Sequence, residues 1–452
     1  MLRIAEQQHP TEQNSYQTRG KAFFKNQSST KMEIREDVVI VGGGIAGLAT
    51  ALALKRIGIC SLVLERSHEL RTTGAALTLF PNAWRALSAL GVAHKISSLY
   101  PPLFKGYFTD VATGETRQVS LSRTEETDRS ELGPKAVHRR ILLEALSEEL
   151  PADMIRFSAK LASIHTEAVN GETIAVLRLE DGTVIKAKAV IGCDGVHSVV
   201  AQWLGLSPPV DSGRSAVRGL SVYPQGHGYA NEVQQYLAEA ARAGVVPVSS
   251  TELYWFIAYE GEESSRDPEL IKRLVMENKA KGFPQKFLDV VEHSELGSLT
   301  LDPLKLRLPW NLLLRSAHRA NVTVAGDAMH PMTPDLGQGG CTALEDAVVL
   351  ARSIGRLVRA DGGLEWGRIG EALEAYVKER RWRVAGVIAG AYFMGRAQPG
   401  ASGWVKKYFS WLTGFARNIF FRFGYTRILA VMNYDCGKLP IRPVEAASSK
   451  VD

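Results

Sequence analysis

Apolar residues follow two patterns along this chain. Val38–Val41 is an unbroken apolar run without helical period, as expected of a parallel strand buried on both faces. A second such run, Cys60–Leu64, follows the helix-like stretch Ala46–Arg56 and a break at Gly58. Strand-to-helix transitions of the same kind recur at Ala189–Gly205 and Val322–Ala351. Between them the pattern changes to alternation. Residues 104–121 read as a hairpin turning at Ala112-Thr113-Gly114, and Ser215–Tyr223 and Leu253–Tyr259 read as strands of a half-buried sheet. In the last of these, Tyr254, Phe256 and Ala258 go to one face and Trp255, Ile257 and Tyr259 to the other. One face should line a ligand cavity; the alternation alone does not say which. From Trp366 onward the chain reads mainly helical.

The first strand–helix–strand unit carries Gly42, Gly44 and Gly47 at G-x-G-x-x-G spacing. The first glycine permits a tight turn, the second lets backbone approach a pyrophosphate, and the third lets the helix pack on the strand. The helix N-terminus, opening at Ala46, then faces phosphate charge. Glu65, followed by Arg66, ends the second strand roughly 20 residues on, where a carboxylate accepts from ribose hydroxyls. Two further glycine-acid pairs place Asp194-Gly195 and Asp327 at strand ends, where open α/β sheets bind ligands. Taken singly, Asp194-Gly195 could be a plain turn and Asp327 a helix cap. Leu336-Gly337-Gln338-Gly339-Gly340 opens a helix whose free N–H groups could meet a carbonyl or developing negative charge.

With 45% apolar and 23% charged residues in 452, the chain can bury a large core and is expected to form more than one domain. The net charge of +6 is mild, and no basic run suggests nucleic-acid binding. Cys60, Cys193, Cys341 and Cys436 lack C-x-x-C spacing, so neither a metal site nor a redox pair is indicated; the three in strand or helix segments, Cys60, Cys193 and Cys341, are expected in the core, in a reducing compartment. Residues 1–35 read as a polar extension, disordered or processed, with Met32 resembling a natural start; a cytoplasmic location is expected, a plastid the alternative. Trp404–Met432 interleaves aromatics with Lys406, Lys407, Arg417, Arg422 and Arg427, which suits peripheral membrane contact or a covering helix with snorkelling basic chains. A monomer or homodimer is expected.

Together these motifs resemble, over roughly residues 36–395, the single-component FAD-dependent aromatic hydroxylases of the p-hydroxybenzoate hydroxylase fold, closest to the plant branch of 3-hydroxybenzoate 6-hydroxylases and zeaxanthin epoxidases. The resemblance implies an α/β fold: a discontinuous Rossmann-like FAD-binding domain (36–99, 134–206 and 308–359), an inserted mixed β-sheet substrate domain (100–133 and 207–307) and a C-terminal helical region (360–452). It assigns Gly42, Gly44, Ala46, Gly47, Glu65 and Arg66 to the adenosine and pyrophosphate end of FAD. Arg71 and Gly74 fall in the segment passing the flavin, and Arg139 matches the arginine near the pyrophosphate and ribityl chain. Leu161 sits where a backbone amide meets adenine. Asp194 and Gly195 match a motif that contacts FAD and pyridine nucleotide, and Asp327 one that holds ribityl or ribose hydroxyls.

The implied reaction uses NADH or NADPH to reduce FAD, O₂ to form a flavin hydroperoxide, and transfer of one oxygen to a small aromatic or isoprenoid-like substrate. Pro334 and the amides around Gly337, Gly339 and Gly340 are candidates for shaping the oxygen-reacting side. His330 is a candidate base for a phenolic substrate or a structural hydrogen-bonder, and Trp255 and Tyr236 are candidate substrate contacts. Two departures stand out: Ala201 replaces a common arginine, and Asp335 replaces a small or apolar residue and is expected to face solvent. No second glycine fingerprint is present, so the nicotinamide is expected to bind transiently. A reductase or desaturase without oxygenation, and a silent FAD-binding regulator, are the alternatives.

Overall fold

The computed structural model describes residues 33–70, 76–121, 133–359, 363–396 and 430–440. Arg71 and Gly74, and nearly all of the 404–432 segment, lie outside the described residues. The apolar runs form an eight-stranded sheet whose middle is parallel: Val322–Val324, Val184–Gly192, Glu33–Val41, Leu62–Leu64 and Ile155–Arg156 lie side by side. Leu161–Val169 and Glu172–Leu179 extend it antiparallel from Val184–Gly192. The first helix, Ile45–Arg56, is buried from Ala46 to Leu54 because its neighbours cover it on every side, which explains why its apolar residues show no single stripe.

The alternating segments form a seven-stranded sheet in the order Thr300–Leu306, Val210–Val222, Glu252–Glu260, Ala241–Pro247, Glu232–Leu237, Lys105–Asp110 and Thr116–Ser120. All neighbours are antiparallel except Glu232–Leu237 with Lys105–Asp110. One face carries Val217, Tyr236, Ala243, Val245, Trp255 and Ile257 and packs on Ile271 and Phe287 of the helices Pro268–Leu274 and Gln285–Glu292. The other face turns toward the eight-stranded sheet, and Leu220, Val246 and Tyr254 join that sheet's core. Cys193, Cys341 and Cys436 are buried, whereas Cys60, expected inside, is exposed at the edge of the turn before its strand.

A buried ionic network ties the layers. Asp346, on the helix Gly339–Gly355, accepts through Oδ2 from the Gly326 amide at 2.8 Å and pairs with His330 Nε2 at 2.5 Å; its Oδ1 accepts from Arg380 Nε at 2.7 Å. Arg380 belongs to the long helix Ile369–Arg396 and also pairs with Glu345 at 2.7 Å. Glu345 in turn receives Asn82 Nδ2 at 2.6 Å and Arg383 at 2.8 Å. The side chains of Glu345, Asp346, His330 and Arg380 are all fully buried. Burial alone would raise the Asp346 carboxyl, but His330 and Arg380 outweigh it and hold the group at about 2. Because its folded pKa lies below the unfolded value of about 3.9, its stabilisation is complete above that pH and is lost as pH falls toward 2.

Asp346→Asn removes the charge that compensates Arg380 and the acceptor that His330 meets, and is expected to cost about 3–5 kcal/mol in urea unfolding at neutral pH. The difference from wild type should shrink between about pH 4 and pH 2. A wild-type-like midpoint at neutral pH would contradict this reading of the network.

Candidate functional site

A groove opens at the carboxyl ends of the parallel strands. Gly42 turns there with φ +109°, and a Cβ on it would lie 2.4 Å from the Cys193 carbonyl oxygen, so only glycine fits. A Cβ on Gly47 would sit 1.8 Å from the Gly42 oxygen, which lets the first helix start against the turn. Gly44, the helix N-cap, faces open space with no heavy atom within 4 Å of its would-be Cβ, and no side chain caps the helix. Backbone donors at this helix start are therefore left open to an anion such as a diphosphate. Glu65 forms one wall; its Oε2 accepts from the Gly43 amide and its Oε1 from the Ser67 amide, both at 2.8 Å. This fixes the carboxylate while leaving lone pairs for hydroxyl donors.

The opposite wall is the loop Gly326–Ala328, which packs so closely on Ala46 that a Cβ on Gly326 would be 2.7 Å from the alanine methyl. Asp327 sits on this loop and is exposed. The surrounding protein still raises its carboxyl by burial, against the pull of His330 and Arg139. The helix Gly339–Gly355 begins here too, with no capping side chain and no acid in its first turn. Gly340 abuts Leu77, Gly339 faces open space, and Gly337 is exposed. Uncapped donors, a carboxylate at each end and a cleft kept clear by glycine are what a flavin dinucleotide requires.

Other residues land differently. Arg66 and Pro334 are exposed. The Leu161 side chain is buried at a strand start, leaving its backbone as the only part that could meet a base. Asp194 turns both oxygens to the following turn, accepting from Ser198 Oγ at 2.5 Å and from the Val199 and Val200 amides at 2.7 and 3.3 Å. Four residues lie elsewhere than the sequence suggests. His330 is fully buried in the ionic network, so it is a structural partner and not a base within reach of a substrate. Trp255 and Tyr236 face the helices: Trp255 Nε1 donates to Ser294 at 2.8 Å, and the Tyr236 ring lies 5.8 Å from Phe287. Asp335, expected in solvent, is 3% exposed and receives Arg214 at 3.0 Å, with Arg242 at 3.7 Å, because two strands of the seven-stranded sheet bring their arginines onto it.

Side chains not singled out from the sequence complete the site. On the inward face of the seven-stranded sheet, Arg218, Phe256 and Gly244 share one cross-strand row, with Gln235 and Phe108 continuing it. Arg218, Phe256, Gln235 and Phe108 are only half-buried although they face another layer, so the row lines a space. It lies between two closed contacts, Leu220, Val246 and Tyr254 on one side and the Arg214–Asp335–Arg242 cluster on the other. Beside the Asp194 turn, a second cavity of about 170 Å³ is lined by His197, Ser198, Gln202, Lys305 and Arg307. Arg307 is 1% exposed, its Nε and Nη1 have no hydrogen-bond partner among the described residues, and burial pushes its guanidinium down to about 10. Arginines in strands carry no spacing signal; only the alternation placed them on a face.

Residues 35–391 match the family model described as FAD binding domain. Monooxygenase 2 of Arabidopsis thaliana is 39% identical over 89% of this chain and 98% of its own length. An FAD-dependent urate hydroxylase of Mycolicibacterium vanbaalenii is 30% identical over 69% of this chain and 78% of its own. Among solved structures, Klebsiella pneumoniae HpxO complexed with FAD and uric acid has the same fold, with a TM-score of 0.74 at 24% identity over 89% of this chain and 98% of that one. The chain belongs to the FAD-binding-domain family and is an FAD-dependent monooxygenase of the aromatic hydroxylase type. Among the described residues, no group of His, Cys, Asp and Glu could hold a metal ion, and no helix is long and apolar enough to cross a membrane.

Gly44→Val should leave the ligand-free fold intact, since its side chain meets nothing within 4 Å, yet should block the diphosphate. The expected outcome is at least about a ten-fold weaker FAD dissociation constant, or about 1.4 kcal/mol, with an unchanged unfolding midpoint of the apoprotein. Unchanged FAD affinity would place the cofactor elsewhere.

Proposed function

We propose that this monooxygenase hydroxylates a small planar aromatic or heteroaromatic ring bearing acidic or hydrogen-bonding substituents, with NADH or NADPH as electron donor. The observation that carries the proposal is the half-buried row of Arg218, Phe256 and Gln235, facing the FAD groove between two sealed contacts. FAD, when bound, supplies the activation of O₂. The protein's part is to hold the ring over the groove and exclude water, so few side chains need do chemistry. Arg214 and Arg242 share the single carboxylate of Asp335, which leaves positive charge at the cavity edge and favours a substrate that is anionic or becomes so. The urate hydroxylase among the relatives acts on a ring of this kind, which supports the same class here.

The cavity at Arg307 suits the donor. A buried guanidinium with unused donors, next to Lys305, His197 and Ser198, fits the phosphates of a pyridine nucleotide that docks and departs. It lies at the Asp194 turn, beside the end of a strand that also borders the FAD groove.

Two outcomes test the proposal. Under ¹⁸O₂, NAD(P)H oxidation stimulated by a phenolic acid or a purine should yield product carrying one ¹⁸O; oxidation giving only H₂O₂ with every such ring would contradict it. Arg307→Ala should raise the KM for the nucleotide about ten- to hundred-fold, the loss of one or two charge-assisted hydrogen bonds, with FAD content unchanged. An unaltered KM would remove the nucleotide from this cavity.

A further inference from the structure

The middle row of the inward face contains an arrangement that nothing in the cofactor groove requires. Gly244 and Phe256 are direct cross-strand partners. A Cβ on Gly244 would lie 2.5 Å from Phe256 Cε1 and 2.6 Å from Cζ, so the phenyl ring lies across the neighbouring strand, in the volume a side chain at 244 would occupy. One ring face is thus seated on backbone. The ring is nonetheless only half-buried, so part of its surface is turned to the cavity. Tyr254, two residues earlier on the same face, stands 6.2 Å away at 33° and is held in the contact with the eight-stranded layer, which limits movement of Phe256 toward that side. Arg218 and Gln235 flank the row on adjacent strands and offer donors at the level of the ring's edge.

We propose that Phe256, laid over Gly244, is the shelf on which the substrate ring stacks, and that the missing side chain at 244 determines how large a ring the cavity admits. This rests on the reading that the cavity takes a planar ring. A flat aromatic surface with polar groups at its margin recognises a flat ligand through offset stacking and edge hydrogen bonds. Any side chain at 244 lifts the Phe256 ring from the strand into the space the ligand needs. Gly244 and Phe256 are therefore specificity-determining as a pair, and their substitutions should not add.

The test is a double-mutant cycle on the FAD-loaded protein, using salicylate as a one-ring probe and urate as a two-ring probe, with binding read from the flavin absorbance difference spectrum. Gly244→Val is expected to weaken urate at least ten-fold and salicylate less, with FAD content unchanged. Phe256→Leu is expected to weaken both several-fold through loss of the stacking surface. The double variant should bind urate no more weakly than Phe256→Leu alone, because without the ring the valine obstructs nothing. Gly244→Ala, one methyl group, gives the same ordering with smaller effects and serves if the valine variant fails to retain FAD. Additive losses, or equal weakening of both probes by Gly244→Val, would overturn the shelf while leaving a ring-binding cavity in place. Failure of both probes to perturb the wild-type flavin would count against the ring-binding cavity itself, and the shelf with it.

Discussion

The Asp346 carboxylate is the interaction on which the cofactor groove depends. A fully buried acid is costly to desolvate unless each oxygen finds a donor. Here one oxygen takes the Gly326 amide and His330 while the other takes Arg380. Those three partners belong to the Gly326–His330 loop and to the long helix, and Asp346 itself to the helix that opens at Gly339. The pairing holds the loop in the conformation that sends Asp327 outward, while its neighbour Glu345 reaches Asn82, whose amide also contacts Gln338 at 2.9 Å. Adjacent acids on one helix thereby fix both the Asp327 wall and the start of the glycine-rich helix. His330 belongs to this framework, which is why it is absent from the cavity.

The two halves of the site are built by different means. The groove for FAD is mostly backbone: glycines that clear space, amides at two helix starts, and carboxylates held by amides. The substrate space is built by side chains on a sheet face, and its depth is set where that sheet touches the other layer. The Arg214–Asp335–Arg242 cluster forms one of those contacts and links the sheet to the loop before Gly337. A change in that cluster would alter the height of the sheet over the groove, so substrate fit and cofactor environment are mechanically joined there.

The backbone-built half was legible in the sequence. Gly42 and Gly47 are dictated by close approaches that no other residue allows, Gly44 keeps the space before the helix start clear, and a local spacing records both constraints. Glu65 was legible for the same reason, as it follows the second strand at a fixed offset. The side-chain half was not. The alternation in Leu253–Tyr259 correctly separated Tyr254 and Phe256 from Trp255, but which set faces the groove depends on where the helices around Phe287 pack, a contact between distant segments. Trp255 and Tyr236 were therefore placed on the wrong side. Asp335 was misjudged because its partners, Arg214 and Arg242, lie on strands far from it in sequence. Arg307 gave no signal because it lies just past the end of the strand Thr300–Leu306, where a lone arginine resembles any exposed one.

Hydrogen–deuterium exchange across the Gly326–His330 loop, in wild type and in Asp346→Asn, tests the central claim most directly. If Asp346 holds the loop, peptides covering Gly326 should be among the slowest to exchange in the wild-type protein. In the variant they should exchange at least ten-fold faster, while the seven-stranded sheet stays protected. Equal protection of the loop in both proteins would show that the groove is held by something other than this carboxylate.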